Sequence, residues 1–365
     1  MLVRLSGVDA ISPAMERAKH QLFAPFRFDY WLRLATLCLL TGELTGGGGG
    51  PSGLLNFQLP SRRHGGLVEF ISWPESVDSR WMEFWPWIVT GVAVLFALAL
   101  LFVYVASVFR FVLFETVLHG RCELMAGWRR WQRQGSSYFL WLMGFGLASF
   151  AAVLIVIGAP VYLAWMAGIF NQPGEHIALL IIGGLLLFVV VAGVTLLSAL
   201  GALFAKDFVV PVMALEDVGV LEGWRRVLPM LEAEKGACAL YVLMKIALAV
   251  GSALLFGIVD FLVILALLIP VCIAAVVAIV VGSAAGLTWN TVTISAAVVA
   301  GGVVLTVLLY VISFVSAPAM VFFQAYSLHF FGSRYLRLGD QLAATSPASK
   351  PSPIMPPAAG PLPAV

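Results

Sequence analysis

The chain has 365 residues, of which 61% are hydrophobic and 11% charged, with a formal net charge of +2. A water-soluble domain carries about 45–50% apolar and about 25% charged residues, so these proportions exclude that class and leave a polytopic membrane protein. So small a charge gives no basic surface for nucleic acid, and no nucleic-acid partner is expected.

Residues 12–24 set Ala14, Met15, Ala18, Leu22 and Phe23 at helical spacing, with Glu16, Arg17 and Lys19 opposite and a Ser12-Pro13 start. This reads as an amphipathic surface helix. Phe26–Leu44 reads as a first span, at about 1.5 Å per residue just long enough to cross the hydrocarbon, with Arg33 early enough to snorkel. Residues 45–86 hold the Gly46–Gly50 run, Trp73, Trp81 and Trp85. No Gly-Lys-Ser/Thr follows the glycines, so a flexible loop outside the membrane is expected rather than a phosphate cradle.

Further spans follow at Trp87–Val108, Tyr138–Met166 and His176–Leu203. Gly144 with Ala148, and Ser198 with Ala202, offer small-residue pairs for close helix approach. Residues 237–283 hold about two spans' worth of apolar residues, interrupted by Lys245, Asp260 and Pro270 and compatible with one crossing or two. A last span covers Ile294–Ala317, and the Pro/Ala-rich residues 341–365 are expected to form a disordered cytoplasmic tail, with residues 1–340 as one membrane domain.

Residues 110–131 and 206–230 repeat each other, with Gly127-Trp128-Arg129-Arg130 and Gly223-Trp224-Arg225-Arg226 in register ninety-six positions apart. Each reads as a basic helix on the membrane surface, and Trp128, Arg129, Arg130, Trp224, Arg225 and Arg226 are candidate contacts to lipid, including anionic lipid. Lysine and arginine gather before the first span, after the second and fourth, and near the C-terminus, which puts both ends in the cytoplasm of a cell (inner) membrane protein. The expected fold is all-α: six transmembrane helices as three units of cytoplasmic amphipathic helix plus hairpin.

The polar candidates inside the apolar sequence are Asp260 and Lys245. Lys245 is expected to snorkel to the cytoplasmic surface. Asp260 marks the outer end of the fifth span or, in a proton-coupled transporter, a midplane carboxylate. Neither the four cysteines nor the five histidines have metal-ligand spacing, and no catalytic residue, metal or cofactor is expected.

The blocks Phe208-Val209-Val210-Pro211-Val212-Met213, Glu216-Asp217-Val218-Gly219-Val220 and Gly223-Trp224-Arg225-Arg226 resemble uncharacterised bacterial six-span membrane proteins. They are also similar to the membrane domains that accompany some glycerophosphodiester phosphodiesterases. The resemblance implies a fold and no activity. The functional expectation is a non-catalytic scaffold, accessory or lipid-interacting protein, with membrane-protein partners; the alternative is a transporter for a small solute or lipid.

Overall fold

The computed structural model describes residues 4–43, 80–171, 174, 176–286 and 290–345, and the described residues form ten α-helices and no strand. Five are long and apolar enough to cross a membrane: α3 (Arg80–His119), α4 (Leu124–Met166), α5 (Ile177–Phe204), α8 (Lys235–Ala284) and α9 (Thr291–Gly332). The chain is an all-α, multi-pass membrane protein. Five shorter helices complete it: α1 (Ile11–Phe23), α2 (Phe28–Thr41), α6 (Val210–Glu216), α7 (Val220–Ala233) and α10 (Leu336–Ala344).

Burial splits the long helices into two parts. No residue of α5 is buried, and α8 buries only Cys238, Tyr241 and Lys245, all near its start. On α4 the buried residues are Gly127, Trp131, Gly135 and Tyr138, one stripe at helical spacing in its first four turns. Beyond these points Leu185, Phe188, Leu254 and Ile258 stand exposed. Lipid tails accept such a surface, while the helix satisfies its own backbone groups.

The other end is a packed head. There Phe208, Tyr241, Tyr326, Phe330 and Phe331 are almost fully buried, with Tyr241 4.4 Å from Phe330 and 5.2 Å from Tyr326 between ring centroids. The Tyr326 hydroxyl donates to the Gly7 carbonyl at 2.8 Å, which fixes the N-terminal segment to α9.

Several expectations are corrected. The first apolar stretch is the 14-residue α2, which at about 21 Å falls short of the about 30 Å hydrocarbon. It stops at Gly42, where φ is 71°, and the chain turns Glu43 into the core. The first repeated block is not a separate helix, whereas the second lies on its own short helix, α7. Residues 110–119 continue α3, Gly120 turns the chain at φ 70°, and the Gly-Trp-Arg-Arg block opens α4. In the second copy Asp217 makes the equivalent turn at φ 50°, before α7. Residues 237–283 lie in one continuous helix that passes through Pro270. Arg17 does not face outward but is buried, while Met15 and Phe23 are exposed.

The expected outer loop 45–86, as far as residue 79, and the tail from residue 346 lie outside the described residues. Residues 341–344 belong to α10, where Leu342 is buried.

The repeat has a packing basis. A Cβ on Gly127 would sit 2.8 Å from Val112 Cγ2, and one on Gly223 would sit 2.8 Å from Val209 Cγ1, so both blocks need glycine where two helix stretches touch. Gly135 is tighter still, 2.8 Å from the Val108 backbone. At Gly144, singled out in the sequence, a Cβ would meet nothing within 4 Å. Gly135→Ala is expected to destabilise the detergent-solubilised protein by about 1–3 kcal/mol, the cost of overpacking a filled core, and Gly144→Ala to leave it unchanged. Thermal unfolding of the two variants checks this; equal midpoints would refute the assignment of the close approach.

Candidate functional site

Five charged side chains from four parts of the chain meet inside the head. Glu43 follows α2, Arg110 lies on α3, Lys206 and Asp207 on the turn between α5 and α6, and Lys245 on α8. None is more than 6% exposed. An isolated ion in such a place costs several kcal/mol, so burial is tolerable only with partners.

The partners are present. Lys206 Nζ pairs with Glu43 Oε1, and Arg110 Nη2 lies 3.7 Å from the same oxygen. Arg110 Nη1 donates to the Tyr138 hydroxyl at 2.9 Å. Lys245 Nζ meets Asp207 Oδ2 at 2.5 Å, and the Tyr241 hydroxyl donates to that oxygen at 2.9 Å. Charge-assisted bonds of this kind are about twice as strong as neutral ones.

One local distortion makes both pairs possible. Ala205–Val209 form a single π-helical turn with all five residues buried. The extra residue in such a turn re-aims the side chains around it. Adjacent Lys206 and Asp207 thereby serve different partners, one towards α2 and α3, the other towards α8. The three cations also share a depth. Arg110, Lys206 and Lys245 are nine or ten residues from His119, Glu216 and Lys235, the head-side limits of their helices, about 14–15 Å in each case.

Below this layer the head is tied by polar contacts nearer its surface. Arg17 donates to the carbonyls of Val117 and Leu118 in the last turn of α3, and to Leu342 O and Thr345 Oγ1 at the end of α10. It has no carboxylate partner among these contacts; two negative helix ends take that place. Burial lowers its pKa. Glu216 gathers Arg226, Tyr335 and Arg337, and Glu234 gathers Arg4 and Arg334. Burial pushes the Cys122 thiol, in the α3–α4 turn, up to about 11.

The sequence-predicted residues are spread through this frame. Trp128 packs on Phe109 and Tyr104, and Trp224 on Trp141 at 5.9 Å. Arg130 pairs with Glu115 at 2.7 Å and lies over the Trp131 ring, and Arg226 pairs with Glu216 and Glu222. Arg129 and Arg225 are exposed. Lys245 does not snorkel: Asp207 holds it in the core, because its tenth-residue depth leaves the ammonium too far from the surface. Asp260 falls near the middle of α8 rather than at its outer end. It is partly buried, within electrostatic reach of Cys38, and its enclosed Oδ1 has no hydrogen-bond partner.

Sequence reasoning missed Glu43, Arg110, Lys206, Asp207, Tyr138 and Tyr241 as members of one site. Arg110 and Lys206 fall in the basic segments after the second and fourth expected spans. One signal was present: they occupy equivalent positions in the two repeats, ninety-six residues apart.

Cavities lie elsewhere. One of about 600 Å³ at the α3–α4 turn is lined by Glu115, His119, Arg121, Glu123 and Arg130 among others, and one of about 280 Å³ beside it by His20, Arg27 and Tyr30. A third, apolar and about 500 Å³, opens between the outer ends of α4 and α5.

Asp207→Asn leaves Lys245 buried without a counter-charge and is expected to cost about 3–5 kcal/mol. The double variant Asp207→Leu/Lys245→Met removes both charges and is expected to recover most of that loss. Unfolding midpoints of the three proteins test it, and a double variant no better than the single one would refute the pairing.

Comparison with known proteins adds a family and no activity. No curated protein matches the chain, and no solved structure does. A family model described as a family of unknown function, DUF7544, matches residues 5–340, nearly the whole chain, with all five long helices and most of the head. The protein therefore belongs to the DUF7544 family of unknown function.

Proposed function

We propose that this protein is a non-catalytic membrane scaffold that binds lipid, and through it other membrane proteins, at its cytoplasmic face. The observation that carries this reading is the buried charge layer, in which Glu43 and Asp207 each hold cations from other parts of the chain. That is an arrangement for holding helices at fixed depth. Around the head stands a rim of exposed bases, Lys19, Arg27, Arg33, Arg121, Arg129, Arg133, Arg225 and Arg337, suited to the phosphates of an anionic leaflet.

The same rim supports an orientation. Residues 167–176 and 284–293, at the far ends of the long helices, contain no lysine or arginine, so the head is cytoplasmic by the positive-inside rule. α1, α2 and α10 all belong to the head, whereas Arg80 opens α3 at the opposite end. On this reading five helices cross the membrane, and α1 and α10 lie on its cytoplasmic side, in a cell (inner) membrane.

The transporter alternative has one observation in its favour: Asp260, a partly buried carboxylate with an unpartnered oxygen near the middle of α8. Two measurements separate the readings. Purified protein is expected to co-sediment with vesicles containing phosphatidylglycerol more than with neutral ones, and Arg129→Glu/Arg225→Glu to remove that preference with the fold intact. Solute flux in proteoliposomes that Asp260→Asn abolishes, without loss of folding, would replace the scaffold by a transporter.

A further inference from the structure

Among the described residues the buried layer does not balance. Arg110, Lys206 and Lys245 bring three positive charges, and Glu43 and Asp207 bring two negative ones, all at most 6% exposed. The surplus sits at one place. Lys245 has Asp207 to itself, whereas Arg110 and Lys206 both turn to a single oxygen, Glu43 Oε1. Two cations brought to one oxygen in a low-dielectric core repel each other unless a further negative charge lies between or beside them.

The hydrogen-bond inventory gives the same result independently. A guanidinium has five N–H donors and an ammonium three. Among the described residues Arg110 Nε is fully enclosed without a hydrogen-bond partner, and the ion pair of Lys206 is with Glu43. Buried donors without acceptors are rare, and each costs about 1–3 kcal/mol. An unmet donor of Arg110 thus lies where the positive charge is in excess. Asp260 makes no ion pair with any of the three cations.

We propose that Arg110 and Lys206 form a binding site for one small monovalent inorganic anion, a halide such as chloride. The Arg110 Nε–H and the Lys206 ammonium donate to it, and its charge brings the layer to neutrality. The enclosure of these groups excludes anything the size of a lipid headgroup. The site does not depend on the scaffold reading.

The test uses the full chain in detergent, with sodium bromide replacing sodium gluconate at constant ionic strength. The unfolding midpoint of the unmodified protein is expected to rise with bromide and to saturate. Lys206→Met, which leaves Arg110 with Glu43 and Lys245 with Asp207 in balance, is expected to lose that shift, and Arg225→Gln on the exposed rim to keep it. If Lys206→Met fails to fold, equilibrium dialysis of the unmodified protein against bromide is read instead, with one bromide per chain expected. A midpoint indifferent to bromide, an equal shift in Lys206→Met, or no saturable bromide in dialysis would overturn the proposal. Asp260 or a neutral lysine would then account for the balance.

Discussion

An ion taken out of water must find its counter-charge inside the protein, and in this fold that requirement sets where four segments of the chain can lie. α2 ends where Glu43 can reach Lys206; α8 starts where Lys245, three turns on, can reach Asp207. A sliding movement of either helix by one turn, about 5.4 Å, would leave a bare charge in the core. Apolar packing alone tolerates such slips, since one leucine serves much as another. The charges therefore give the helices their register more than their adhesion.

This division of labour explains why the molecule looks different at its two ends. Near the head, Phe208, Tyr241, Phe330 and Phe331 close around the ion pairs and keep the local dielectric low, which strengthens every pairing. Farther out nothing polar has to be satisfied except the helices' own backbone, and lipid serves as well as protein to cover Leu and Ile. α5 can thus run 28 residues without one buried side chain.

How much of this could be read beforehand depended on the range of the signal. The long apolar runs of α3, α4, α5, α8 and α9 were legible because a bilayer imposes a minimum length on any crossing segment. The Gly127 and Gly223 blocks were legible as a repeat, though not as close-packing positions, since the valines opposite them are set by the fold. Arg17 was misassigned because its partners are carbonyls at two helix ends, Val117 and Leu342, that no local pattern connects. The charge layer was illegible for the same reason. Glu43 and Lys206 lie far apart in sequence, and only tertiary structure shows that each is the other's partner.

The unbroken length of α8 has a mechanical consequence. From Ile246 to Ala284 it extends about 58 Å, against a hydrocarbon layer of about 30 Å. A straight rod of that length fits within the layer only when inclined by about 60° from the normal. Its inner end is held by the Lys245–Asp207 ion pair, so a rod of this length either leans across the layer from that fixed point or projects beyond it.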